Sequence, residues 1–203
     1  MCRDMPPLEQ AIQFHGHICP GILMGVRAAE FALKHLEVDP DIDEQLIAVV
    51  ETDSCGVDAI QVILGCTFGK GNLIHKDYGK AVYTIGSREK NRAVRIAQKF
   101  GATASPNRDR FRELKMKKNL NEEEKAEMEG LLGDIFEQIM SMPFEDLFKW
   151  EDVPFDFPAR ARIYPTIQCE GCGEGVMEPR AKKTEQGMLC PSCQIEFGGV
   201  ANV

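Results

Sequence analysis

The chain has 203 residues, enough for one sizeable domain and an appendage. An apolar fraction of 43% beside 28% charged residues is ordinary for a globular protein. No run approaches the roughly 20 apolar residues of a membrane helix, and Met1-Cys2-Arg3-Asp4-Met5 does not lead into the apolar stretch of a signal peptide. A cytoplasmic protein with no membrane partner is expected, and a net charge of −8 argues against nucleic-acid binding by phosphate neutralisation.

Pro7 to Phe14 carries apolar residues at helical spacing behind a proline and predicts a short helix. After the break His15-Gly16-His17-Ile18-Cys19, a longer helix is predicted from Pro20 to His35, with Ile22, Val26, Ala29, Leu33 and Leu36 on one face. Leu46 to Val50 reads as a buried strand, Glu51 to Gly56 as a turn, and Val57 to Gly65 as a helix. A glycine-rich loop from Gly65 to Gly71 precedes a predicted hairpin, Asn72 to Ile85, turning about Asp77, Tyr78 and Gly79. The apolar set Ala93, Val94, Ile96, Ala97 and Phe100 favours a helix over Glu89–Phe100, with an extended segment as the alternative. Asn107–Lys118 and Asn121–Met140 predict two more helices, the second capped by Asn121 with acids in its first turn. The basic run Arg108–Lys118 reads as a solvated helix face with Phe111, Leu114 and Met116 turned inward. Pro143, Pro154 and Pro158 punctuate a loop-rich linker.

Cys169 and Cys172 form one Cys-x-x-Cys pair, Cys190 and Cys193 another, and 17 residues separate the pairs. Each pair aims two thiolates inward, and two pairs complete a tetrahedron around zinc. Four protein ligands leave no position for substrate, so the predicted zinc is structural. The module is too small to fold on its apolar residues alone. Redox pairs are the rival reading, but one such pair suffices for that chemistry. Five basic residues (Arg160, Arg162, Arg180, Lys182, Lys183) balance five acidic ones (Glu170, Glu174, Glu178, Glu185, Glu196), which favours a protein partner or dimer contact over DNA.

His15, His17 and Cys19 recur at every second position, so in an extended segment they share a face. Cys19 and Cys55 each precede a predicted helix, whose positive end favours a thiolate. Two thiols and two imidazoles suit a second zinc or another transition metal. How many of the four bind stays open at this point. Asp53 and Asp58 are candidates to orient the histidines or to cap helices. Cys66 carries a weaker claim to a role, and Cys2 a weaker one still. The glycine-rich loop fails as a phosphate-binding loop: three residues separate Gly65 from Gly69, and no Ser or Thr follows Lys70.

The ordered segments Phe14–Gly21, Cys55–Gln61, Gly65–Asn72 and Asp77–Lys80 together resemble the E-subunit family of formylmethanofuran dehydrogenase. The resemblance covers roughly residues 5–150 and implies an α+β core with a mixed or antiparallel sheet, followed by a treble-clef-type zinc finger. The expected domains are 1–158 and 159–203. It also implies a homodimer and association with formylmethanofuran dehydrogenase or another molybdenum or tungsten enzyme, in a methanogenesis-related setting. The family's histidine–cysteine motif falls on His15, His17 and Cys19, and its second cysteine on Cys55. Three functions follow as expectations. The first is a metal-binding accessory protein. The second is a stand-alone enzyme with Cys19 or Cys55 as a reactive thiol. The third is a zinc-finger interaction protein with an inert core.

Overall fold

The computed structural model describes residues 5–198; Cys2 lies outside them. The chain divides into two compact units, Met1–Ala159 and Arg160–Val203. In the first, Pro7–His15 (α1) stops where Gly16 turns left-handed, φ 89°, and Pro20–Leu36 (α2) restarts with proline at its first position. Ile22, Val26, Ala29 and Leu36 of α2 are fully buried, as their helical spacing predicts.

Leu46–Val50 (β1) lies inside a five-stranded mixed sheet. It is joined through Gly56–Leu64 (α3) to a parallel neighbour, Leu73–His75 (β2), with Ala48 opposite Leu73. A parallel pair needs such a crossover, because a tight turn cannot return the chain to run in the same direction. Val82–Ser87 (β3) and Arg92–Gln98 (β4) continue the sheet antiparallel, and Phe148–Asp152 (β5) closes its far edge.

Two sequence expectations change here. Asn72–Ile85 is no hairpin, because β1 lies between β2 and β3. The hairpin is β3–β4, turned by Asn91 at φ 49°. Within 89–100 the segment Arg92–Gln98 is therefore extended, the alternative reading, and not a helix. Its buried Val94 and Ile96 pair with Ile85 and Tyr83, and β-branched side chains suit that packed sheet face.

The remaining helices are Pro106–Met116 (α4), Glu122–Ser141 (α5) and the single turn Phe144–Leu147 (α6). The loop-rich linker expected after Pro143 thus contains α6 and β5, held to α2 by stacking of Phe144 on Phe31 at 3.8 Å. Leu46, Ala48, Val50, Tyr83, Ile85, Val94 and Ile96 turn one sheet face to the helices and form a single core with them. Phe155 and Phe157 approach the opposite face, where a Cβ on Gly86 would meet the Phe155 ring at 2.8 Å.

The second unit contains two hairpins and a helix. Thr166–Gln168 (β6) pairs with Gly175–Met177 (β7), and Cys169 and Cys172 lie in the turn between them. Lys182–Thr184 (β8) pairs with Gly187–Leu189 (β9), and Pro191–Gly198 (α7) follows. Knuckle, hairpin and helix in this order are compatible with a zinc finger of treble-clef type, and the whole chain is α+β.

Candidate metal centres

The C-terminal centre is built from the ends of three elements. Cys169 and Cys172 come from the β6–β7 turn, Cys190 follows β9, and Cys193 sits in the first turn of α7. Their four Sγ atoms lie within 4.8 Å of one another. Cys172 and Cys190 are 3.9 Å apart, close to the roughly 3.8 Å that tetrahedral zinc–sulfur bonds of about 2.3 Å require. The N–H of Cys190 donates to Cys169 Sγ at 3.2 Å. Backbone N–H groups of Cys172 and Cys190 hold the Cys169 thiol down at about 6. That favours the thiolate a metal needs. Little else holds the module together: among its described residues only Leu189 is buried beside the cysteines, with Val176 packed on it.

The N-terminal centre forms where α1 gives way to α2. His15 ends α1, Gly16 turns left-handed with its N–H on Ile12 O, and Cys19 is the extended N-cap of α2, accepting from the Ile22 N–H at 3.4 Å. A helix end and a turn, not the extended segment expected from alternation, thus gather His15, His17 and Cys19. Their ligand atoms lie within 4.8 Å of one another. His15 Nε2 is 3.7 Å from Cys19 Sγ, against about 3.6 Å for a nitrogen and a sulfur on one tetrahedral zinc. The other ring nitrogen, Nδ1, lies 2.7 Å from Asp58 Oδ2. An ionised carboxylate only accepts, so Nδ1 donates, and in the neutral ring Nε2 offers its lone pair toward Cys19. Asp53, the other acid of this region, is exposed.

Cys55 caps α3 and reaches the centre because two helices touch through glycine. A Cβ on Gly25 would stand 2.3 Å from Gly56 O, and one on Gly21 would stand 3.7 Å from Cys55 Sγ and 3.8 Å from Cys19 Sγ. Both thiols therefore border Gly21, although the close group of three donors does not include Cys55. Burial, then the neighbouring Cys19 thiol, raises the Cys55 pKa. Cys66 stands apart: it is fully buried in the core, and burial pushes its thiol up to about 12.

The wall facing these thiols belongs to the basic run 108–118, expected only as a solvated helix face. Arg108, Arg112 and Lys115 of α4 line one cleft with Cys19, Gly21 and Cys55. Their spacing of four and three residues was the available signal. Met116, expected inside, is 80% exposed and borders the same cleft, whereas Leu114 is buried as expected.

Residues 14–149 match the family described as FmdE, molybdenum formylmethanofuran dehydrogenase operon. The chain is 33% identical over 203 residues to a probable S-adenosyl-L-methionine-binding protein of Archaeoglobus fulgidus. The match covers 95% of this chain and 54% of that protein, so the chain spans about half the length of this curated relative. A crystal structure of a tungsten formylmethanofuran dehydrogenase FmdE-like protein from Syntrophus aciditrophicus superposes with a TM-score of 0.63. That match is 22% identical and covers 95% of this chain and 92% of the other, a likeness of fold.

Proposed function

The chain belongs to the FmdE family, and from that premise we propose that it is a metal-binding accessory protein for formylmethanofuran dehydrogenase or another molybdenum or tungsten enzyme. In this reading, one structural zinc is held by Cys169, Cys172, Cys190 and Cys193. A second zinc or other transition metal is held by His15, His17, Cys19 and Cys55. The relay from Asp58 through His15 to Cys19 carries the second assignment, because an outer carboxylate that orients a ligating imidazole is the usual companion of a metal-bound histidine. A bound ion there would supply Lewis acidity, and where only the three close donors His15, His17 and Cys19 bind it, a fourth position is left for an outside ligand, which Cys55 would otherwise fill. The homodimer and the methanogenesis-related setting belong to the same proposal.

Metal analysis of purified protein tests it. About two zinc ions per chain are expected, falling to about one in Cys19→Ala and Cys55→Ala. About one zinc in wild type, unchanged in both variants, removes the second centre. Light scattering at twice the chain mass, and co-elution with purified tungsten formylmethanofuran dehydrogenase, are the expected results for the assembly. A monomer that elutes alone removes that part of the proposal.

The same relay supports a second reading, a stand-alone enzyme. Cys19, His15 and Asp58 stand in the order thiol, base and orienting carboxylate, the arrangement that activates a cysteine nucleophile. In metal-free protein this reading expects Cys19 to alkylate much faster than buried Cys66. Equal rates would remove it.

A further inference from the structure

Helix α4 carries two kinds of cation. Arg110 is neutralised by Glu127 at 2.7 Å and Glu113 at 3.2 Å, and Lys117, just past the helix end, by Glu124 at 2.5 Å. Arg108, Arg112 and Lys115 form a separate stripe, and among the described residues none of the three is in an ion pair. Their stripe lines the cleft bordered by Cys19, Gly21 and Cys55, a cavity of about 310 Å³. That volume is at the small end of the range for metabolite sites.

Arg108 Nη1 is buried and has no hydrogen-bond partner among the described residues. A buried guanidinium N–H without an acceptor is costly, as is the placing of like charges one helical turn apart. Burial and the Arg112 charge accordingly lower the Arg108 pKa. In a chain of net charge −8, the fold nevertheless keeps three unneutralised cations opposite two thiols. Half-buried Phe111 and exposed Met116 add an apolar wall to the same cleft.

We propose that this cleft binds a small organic anion, with its carboxylate or phosphate group on Arg108, Arg112 and Lys115. The carbon body of the ligand would lie against Phe111 and Met116, and its far end would reach Cys19 and Cys55. This inference names a ligand class for the His/Cys centre and so rests on that site having a binding role. The grip on the anion, however, comes from α4 and does not depend on the metal.

Calorimetric titration of the full chain with inorganic phosphate and with succinate, in metal-free and zinc-loaded protein, tests it. Saturable binding of at least one probe is expected, weakening as salt rises. The double variant Arg108→Gln/Arg112→Gln should weaken it at least about tenfold, and Arg110→Gln should leave it unchanged. If that double variant does not fold, Arg112→Gln/Lys115→Gln alters only exposed side chains and is expected to weaken binding in the same direction. The tighter of the two probes identifies the anionic group. No saturable binding of either, or equal binding by wild type and a folded double variant, overturns the proposal. Zinc content measured on the same samples separates the two readings. Anion binding without a second zinc sinks the metal centre alone, and a second zinc without anion binding sinks this inference alone.

Discussion

Asp41 shows how one residue can explain a whole loop. Its side chain is fully buried, yet it accepts from Lys70 Nζ at 2.6 Å, Asn72 Nδ2 at 3.0 Å and the backbone N–H groups of Gln45 and Leu46. The glycine-rich loop Gly65–Gly71, with Asn72 following it, therefore clamps a carboxylate and holds β2 beside β1, since Asn72 Nδ2 also donates to Leu46 O. Burial alone would raise the Asp41 pKa. The bond from Lys70 and those from the backbone outweigh it and hold the value below the ordinary 3.8. A lowered folded pKa gives stability that is present above pH 3.8 and is lost as pH falls through the folded value. Asp41→Asn leaves the Lys70 ammonium unpaired and is expected to cost about 3 kcal/mol at pH 7. Urea unfolding at pH 7 and in acid should show that the variant differs from wild type less in acid. An unchanged difference would mean that Asp41 contributes nothing to the acid sensitivity.

At the scale of elements, the contact between α2 and α3 sets how near Cys55 comes to the candidate N-terminal centre. The helices meet at Gly25 and Gly56, where a Cβ on Gly25 would stand 2.3 Å from Gly56 O. Gly25→Ala is expected to destabilise the fold by about 1–3 kcal/mol. It should also displace the N-terminus of α3, and with it Cys55, and on the metal assignment proposed above lower the zinc content. Thermal unfolding and zinc content read the two effects separately, and a fully stable variant would show that the helices can move apart without cost.

Helix α5 offers a second case. No basic residue lies in its last turn, and Arg27 of α2 instead donates to the carbonyls of Ile139, Met140 and Met142 at 2.6, 2.9 and 2.8 Å. Arg27→Met keeps much of the side-chain volume and leaves those acceptors without their charged donor. A loss of about 2–4 kcal/mol by urea unfolding is expected. The N-terminal end of the same helix was legible, because Asn121 and Glu124 form a local capping box.

Over the whole molecule, the two units differ in what stabilises them. The α+β unit has a continuous apolar core, whereas the buried apolar content of the four-cysteine unit, among its described residues, is Leu189 beside three cysteines. On the proposed structural zinc, chelation is therefore expected to abolish amide protection in the four-cysteine unit while β1, β3 and β4 keep theirs, as hydrogen exchange would read. Persistent protection of Cys169–Cys193 without metal would contradict this.

Features that depend on near neighbours were legible in the amino-acid sequence. These are the paired Cys-x-x-Cys turns, the proline and asparagine helix starts, the face of α2, the β1 strand and the ordered motifs of the FmdE family. Each is set by residues within a turn or two, so spacing carries the information. The rest follows from contacts between distant segments. His15 finds Asp58 across 43 positions, Cys55 meets Gly21 through a glycine crossing, and Arg92–Gln98 becomes a strand because β3 offers a partner. The basic stripe of α4, which read as a solvated face, lines the cleft beside the thiols. Spacing shows that those cations share a face, but what the face meets depends on how distant elements pack.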